Sequence, residues 1–191
     1  MSMKKFINLF FCKFLFRVSY TGLENLEKYD QYLICPNHSC IFDPFFIYPK
    51  AKNLYIMAKS ELFKYPIFSS LLKHYNVFPV NRNIIDSKSL FTALSVFKNN
   101  TNSQLLIFPE GKVIKQTDEI GKKVRNGATF ISAQANAPIV PVYISRRPSF
   151  FSKVSVTFGE PFFMDSEVLE NKSYLKQCSN NLIDKIYSLK K

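Results

Sequence analysis

Short apolar runs recur along this chain, separated by stretches in which apolar residues return every three to four positions. Residues 32–35, 54–57, 77–80, 105–108, 139–144 and 154–158 form the runs, and their length and composition predict strands. Between them, Leu90, Phe91, Leu94 and Phe97 share one helical face behind Asp86, which can cap the helix, and Val124, Ala128, Ile131 and Ala135 repeat the pattern. From Ser166 onward, Leu175, Cys178, Leu182, Ile186 and Leu189 stand at helical spacing. Strands alternating with helices predict a single α/β domain, with a mostly parallel or mixed sheet flanked by helices and a last helix laid on the sheet.

Ahead of the first run, the pattern changes. Residues 1–18 hold Phe6, Phe10, Phe11, Phe14 and Phe16 among Lys4, Lys5, Lys13 and Arg17, with no acid, which predicts a cationic, aromatic amphipathic helix. Over residues 6–18 such a helix reaches about 20 Å, short of the ~30 Å hydrocarbon core of a bilayer, and Lys13 and Arg17 interrupt it. It is not expected to span a membrane, and the absence of a small-residue cleavage site after an uninterrupted apolar stretch argues against a secretory signal. Lys13 and Arg17 lie four apart on one face, leaving Phe10 and Phe14 to enter the headgroup boundary of an anionic bilayer. Residues 1–18 are therefore expected to associate with a membrane surface and residues 19–191 to form the domain, peripheral or monotopic on the cytoplasmic side of the membrane. The competing expectation is a helix that packs on the domain's own core.

Composition adds a constraint. Hydrophobic residues make up 47% of the 191 and charged ones 21%, as in a folded globular chain. Lysine and arginine number 26 against 14 acids, a net +12 that favours an anionic partner: nucleic acid, an anionic membrane or a phosphate-bearing substrate. No nucleic-acid recognition motif accompanies the charge, and the aromatic N-terminus suits lipid better. The four cysteines, Cys12, Cys35, Cys40 and Cys178, contain no C-x-x-C pair, so reduced thiols are expected and neither a disulfide framework nor a zinc knuckle is indicated. Cys35, His38 and Cys40 are three candidate ligands without a fourth, so no metal is expected.

Candidate chemistry concentrates in Asn37-His38-Ser39-Cys40-Ile41-Phe42-Asp43-Pro44, directly after the apolar run at 32–35. The chain has only two histidines, His38 and His74, so a neutral-pH base has few alternatives to His38. Asp43 could orient its imidazole; equally, Asp followed by Pro44 is a good start for a helix, and its carboxylate could cap one. Residues 77–80 lead to Arg82, and residues 105–108 break into Pro109-Glu110-Gly111-Lys112. In open α/β sheets ligands lie beyond the carboxyl ends of the strands, where these loops could share a crevice.

In these segments the chain resembles the phospholipid/glycerol acyltransferase family, whose bacterial members include the lysophosphatidate acyltransferases often called PlsC. The resemblance runs over residues 22–160. Asn37-His38 through Asp43 matches the family's N-H-x-x-x-x-D block, residues 78–82 its arginine block, Phe108-Pro109-Glu110-Gly111 its F-P-E-G block and residues 138–142 its proline-flanked strand. Arg125-Asn126-Gly127 looks like the family's basic-x-Gly. Four blocks in the right order make a specific match. Asn76 stands where members usually carry glycine, and Val113 where F-P-E-G-T-R has its arginine.

The resemblance implies a glycerol-3-phosphate acyltransferase-like fold and acyl transfer from an acyl carrier protein or coenzyme A thioester to a lysophospholipid hydroxyl, lysophosphatidate to phosphatidate, without a further cofactor. In that reading His38 and Asp43 are the catalytic pair and Arg82 grips the acceptor phosphate. Glu110 hydrogen-bonds acceptor hydroxyls, Gly111 lets backbone N–H groups approach the substrate, and Lys112 supplies the cation missing at Val113. Glycerol-3-phosphate or another lysolipid is an alternative acceptor, and a non-catalytic lipid-binding protein an alternative function. Cys40 beside His38 raises the competing possibility of a thiol nucleophile. His74, outside every block, is expected to be structural.

Overall fold

A computed structural model describes residues 3–81, 87–145 and 151–190. Seven strands, β1 (Val18–Thr21), β2 (Tyr32–Pro36), β3 (Leu54–Lys59), β4 (Val77–Val80), β5 (Gln104–Leu106), β6 (Ile139–Ile144) and β7 (Val154–Phe158), form one sheet in the order β1-β7-β6-β2-β5-β3-β4. The five strands from β6 to β4 run parallel, and β7 meets β6 antiparallel with β1 parallel to β7. The carboxyl ends of β6, β2, β5, β3 and β4 therefore open onto one edge of the sheet.

Helices cover both faces, so the central strands are apolar on both sides and read as unbroken runs. Alternation along β2 sends Tyr32 and Ile34 to one core and Leu33 and Cys35 to the other. The first core lies under α1 (Met3–Ile7) with the wider π-helical segment Asn8–Leu15, α2 (Asp43–Ile47) and α3 (Pro66–His74). The second lies under α4 (Ser87–Asn99), α5 (Gly127–Ala135) and α6 (Lys172–Ser188). Pro79 sits in β4, an edge strand with only β3 beside it, where a missing N–H breaks no ladder on the open side.

The strands at 77–80, 139–144 and 154–158 fall where the apolar runs place them, while β5 ends at Leu106 rather than Phe108 and β1 is an addition. Val18 begins that strand, so the N-terminal helix expected to reach residue 18 stops at Leu15. Arg17 does not extend a cationic face with Lys13: its guanidinium donates to the Phe151 carbonyl at 2.8 Å. The helical segment has two faces. Ile7, Cys12 and the Phe16 that follows are buried, Phe11 stacks on Phe45 with centroids 4.7 Å apart, and Phe6, Leu9, Phe10 and Phe14 face outward.

In α4 the buried residues are Ser89, Ala93, Val96 and Phe97, an i, i+4, i+7, i+8 stripe. That stripe turns Phe91, expected in the core, to the solvent side, where it is 72% exposed. Asp86, the expected cap, lies outside the described residues. Asn76 adopts φ +55°, the left-handed conformation that glycine usually fills. The last helix begins at Lys172 because Asn171 caps it, its side chain accepting from the N–H groups of Ser173 and Tyr174; Ser166–Leu169 forms a separate 3-10 turn.

The turn after β1 has a strict requirement at Gly22. Its φ is +76°, and a Cβ there would lie 2.0 Å from the Phe158 carbonyl oxygen at the end of β7. Gly22→Ala is expected to lose about 3 kcal/mol or more of unfolding free energy, read as a lower urea midpoint. Gly121→Ala, whose Cβ meets no atom within 4 Å, should lose about 1 kcal/mol.

Candidate active site

The loop after β2 starts with Asn37, which prolongs the β2–β6 pairing with its side chain. Its Nδ2 donates to the Ile144 carbonyl at 3.0 Å, and its Oδ1 accepts from Ile144 N–H at 2.7 Å. His38 follows, pinned on both sides of its backbone by the loop after β5: its N–H donates to Glu110 Oε2 at 2.6 Å and its carbonyl accepts from Ile114 N–H at 2.8 Å. The imidazole lies on the Phe108 ring, centroids 4.0 Å apart. Its side chain is 13% exposed.

Asp43 is fully buried and its carboxylate turns back over the loop. Oδ2 accepts from His38 Nδ1 at 2.9 Å, Ser39 N–H at 2.6 Å and Cys40 N–H at 2.9 Å. Oδ1 accepts from the Ser39 hydroxyl at 2.9 Å and the Cys40 thiol at 3.2 Å. This settles the choice left open by Asp43-Pro44: the side chain orders residues 38–40 instead of capping α2, in which Asp43 is the first residue. A carboxylate only accepts, so in the neutral imidazole Nδ1 carries the proton and Nε2 the lone pair. Such a ring can take a proton from a hydroxyl at Nε2.

The neighbouring thiol takes a different part. Cys40 Sγ points at Asp43, and burial together with that carboxylate pushes its pKa up to about 12. A thiol held protonated across the neutral range is a poor nucleophile. Cys35 belongs to the core under α4, α5 and α6, on the other face from the loop. His74 ends α3, exposed, with its ring edge-on to Tyr75.

The loop after β5 turns its polar groups to partners within the protein. Glu110 is 2% exposed, and its two oxygens accept from His38 N–H and from the Tyr187 hydroxyl of α6, the latter at 2.7 Å. It braces the histidine loop against the last helix. Gly111, at φ +67°, spends its N–H on the Phe108 carbonyl at 3.0 Å. Lys112 reaches outward to Glu119 at 2.6 Å, and that ammonium, with the N–H groups of Lys115 and Gln116, holds the Glu119 carboxyl down at about 2. Arg82 lies outside the described residues.

Beside Phe108 opens a cleft of about 510 Å³. Met57, Val80, Leu90, Ile107, Phe130 and Ile131 make most of its wall, with Gly111 and Arg125 on its rim side. Tyr187 and Arg125, unassigned by sequence reasoning, thus belong to the site's surroundings. Tyr187 carried no signal, since only the packing of α6 brings it to Glu110. Arg125 carried one, the basic-x-Gly pattern.

With this geometry in view, the comparison with protein families is decisive: residues 17–145 match the Acyltransferase family model. The chain belongs to the Acyltransferase family. The match takes in His38, Asp43, Glu110 and Arg125. Among curated proteins, the 1-acyl-sn-glycerol-3-phosphate acyltransferase of Borreliella burgdorferi is 28% identical over 138 residues, 72% of this chain and 54% of that protein. The chain spans about half the length of that relative. The crystal structure of the 1-acyl-sn-glycerophosphate (LPA) acyltransferase PlsC from Thermotoga maritima superposes with a TM-score of 0.67 at 23% identity, covering 96% of this chain and 78% of that one. The α/β architecture with its mostly parallel sheet is thus the fold of a known acyltransferase.

The Asp43 contacts make a stability difference between two substitutions. Asp43→Ala strands the buried Ser39 and Cys40 N–H groups and should lose about 3 kcal/mol in urea unfolding. Asp43→Asn keeps an oxygen for the N–H groups and an NH2 for the Ser39 hydroxyl, and should lose about half as much.

Proposed function

We propose that this protein transfers a fatty acyl group from an acyl thioester, on acyl carrier protein or coenzyme A, to the free hydroxyl of a lysophospholipid, converting lysophosphatidate to phosphatidate. The observation that carries the reading is the His38 Nδ1 contact with Asp43 at 2.9 Å. It leaves Nε2 as a base on a ring stacked against Phe108, which lines an apolar cleft of the size that ligands occupy. The name borne by the Borreliella burgdorferi relative supports lysophosphatidate as the acceptor.

In the reaction, His38 Nε2 removes the acceptor hydroxyl proton as the oxygen attacks the thioester carbonyl carbon. Asp43 stabilises the imidazolium that forms, through the Nδ1–H it already holds. The tetrahedral oxyanion collapses, the C–S bond breaks, and the departing thiolate receives the proton from His38. An ester and a free thiol result, with no acyl-enzyme and no other cofactor. The acyl chain lies along Met57, Leu90, Ile107 and Ile131, and Arg82 contacts the acceptor phosphate. Glycerol-3-phosphate would satisfy the same chemistry; a panel of acceptors separates the two.

The substrate resides in a bilayer, and the outer face of the N-terminal segment suits one. Phe6, Phe10 and Phe14 form a ladder with ring centroids 5.5 and 6.0 Å apart, and Phe14 is 62% exposed. Lys13 beside them is exposed and meets anionic headgroups. Among the described residues no helix is long and apolar enough to cross a membrane, so the attachment proposed is peripheral.

The test of the reaction is thiol release from an acyl thioester with lysophosphatidate as acceptor. His38→Ala should lower it about 1,000-fold or more and Asp43→Asn about 100-fold or more, while Cys40→Ala stays within about tenfold. Release that persists in His38→Ala, or vanishes in Cys40→Ala, would remove the base mechanism. For the membrane, Phe10→Ser with Phe14→Ser should cut co-sedimentation with anionic liposomes about tenfold or more. Unchanged binding would place the contact elsewhere. Point changes are preferable to deleting residues 1–18, because deletion also strips Cys12 and Phe16 from the core.

A further inference from the structure

The missing arginine at position 113 leaves an acyltransferase of this kind without one of its cations, and the lysine beside the gap is committed elsewhere. Lys112 Nζ sits 2.6 Å from Glu119 Oε1, on the outside of the loop. A second cation reaches the same loop from the other direction. Arg125 precedes α5, and its backbone N–H donates to the Pro109 carbonyl at 2.8 Å, which ties it to the Pro-Glu-Gly turn. Its side chain lies against Gly111. A Cβ built on Gly111 would be 2.9 Å from Arg125 Cγ and 3.2 Å from its Nε. Glycine at 111 is therefore what admits the arginine stem to the rim of the cleft.

Among the described residues the Arg125 guanidinium makes no ion pair. It lines the cleft together with Phe108, the ring on which His38 stacks. A guanidinium offers five donors in a planar fork and matches two oxygens of a phosphate at once. In lysophosphatidate the phosphate is carried one carbon away from the hydroxyl that reacts. A group gripping that phosphate must thus lie near the base, and the turn under Arg125 is tied to it where Glu110 accepts from His38 N–H at 2.6 Å.

We infer that Arg125, lying against Gly111 in the cleft, binds the phosphomonoester of the acceptor and so makes this enzyme select phosphorylated acceptors. The inference rests on the acyltransferase reading for the identity of the acceptor, but its binding part can be measured without turnover. The contact is specific to a fork: a lysine at 125 would keep the charge and lose the second hydrogen bond.

Equilibrium titration with glycerol 3-phosphate and, separately, with coenzyme A tests it on the wild type, Arg125→Gln, Arg125→Lys and Lys123→Gln, each checked for an unchanged melting transition. The expected result is that Arg125→Gln weakens glycerol 3-phosphate binding about tenfold or more and Arg125→Lys by an intermediate factor. Lys123→Gln, which removes an exposed charge of the same sign nearby, should change it less than about threefold. Coenzyme A binding should stay within about threefold in all of them. No loss in Arg125→Gln, an equal loss in Lys123→Gln, or a loss confined to coenzyme A overturns the assignment, as does a wild type that does not bind glycerol 3-phosphate. Thiol release by the wild type is measured in parallel. Its absence, with Arg125-dependent phosphate binding intact, would refute the catalytic reading and leave the phosphate site standing.

Discussion

A carboxylate taken wholly out of water must be surrounded by donors, and at Asp43 those donors come from the loop that carries His38. Five groups from His38, Ser39 and Cys40 converge on its two oxygens. The backbone donors fix the path of the chain, and the imidazole donor fixes which ring nitrogen carries the proton. The same buried charge that folds the loop therefore selects the tautomer. Cys40 Sγ is one of those donors, and burial together with the negative charge beside it opposes its ionisation.

Around this loop the sheet supplies the frame. β2 and β5 end side by side, so the residues that follow them meet above the carboxyl edge, and His38 and Glu110 make contact across 72 residues of chain. Asn37 fastens the loop to β6 on one side, while Glu110 carries the load on to Tyr187 of α6 on the other. His38 is thus held by three separate segments, and the last helix, remote in sequence, takes part in positioning it. Phe108 completes the arrangement as a flat apolar platform under the imidazole and as part of the cleft wall.

Much of this was legible in the residues because the central strands are buried on both faces. A run such as 139–144 can be nothing but apolar there, and its ends fall where the structure puts them. β1 escaped notice because it is a four-residue edge strand with alternating exposure, paired to β7 some 136 positions away as Val18 to Val154. Phe91 misled because its side chain is large and apolar, while the helix buries the smaller Ser89 and Ala93 against the sheet. The pairing of His38 with Asp43 could be anticipated since it is local, five residues apart. The inward turn of Glu110 could not, because its two partners are set by tertiary packing; nor could the capture of Lys112 by Glu119 or the approach of Arg125 to Gly111.

The central claim is that His38 is held as the Nδ1–H tautomer with Nε2 free to accept a proton. The most direct measurement is the ¹⁵N–¹H correlation of the imidazole rings in the folded protein at neutral pH, with His74→Gln leaving His38 as the only histidine. The account predicts a protonated, strongly hydrogen-bonded Nδ1 and an unprotonated Nε2, with the Nδ1–H signal lost in Asp43→Ala. A ring protonated at Nε2 instead, or one exchanging freely between tautomers whether or not Asp43 is present, would contradict it.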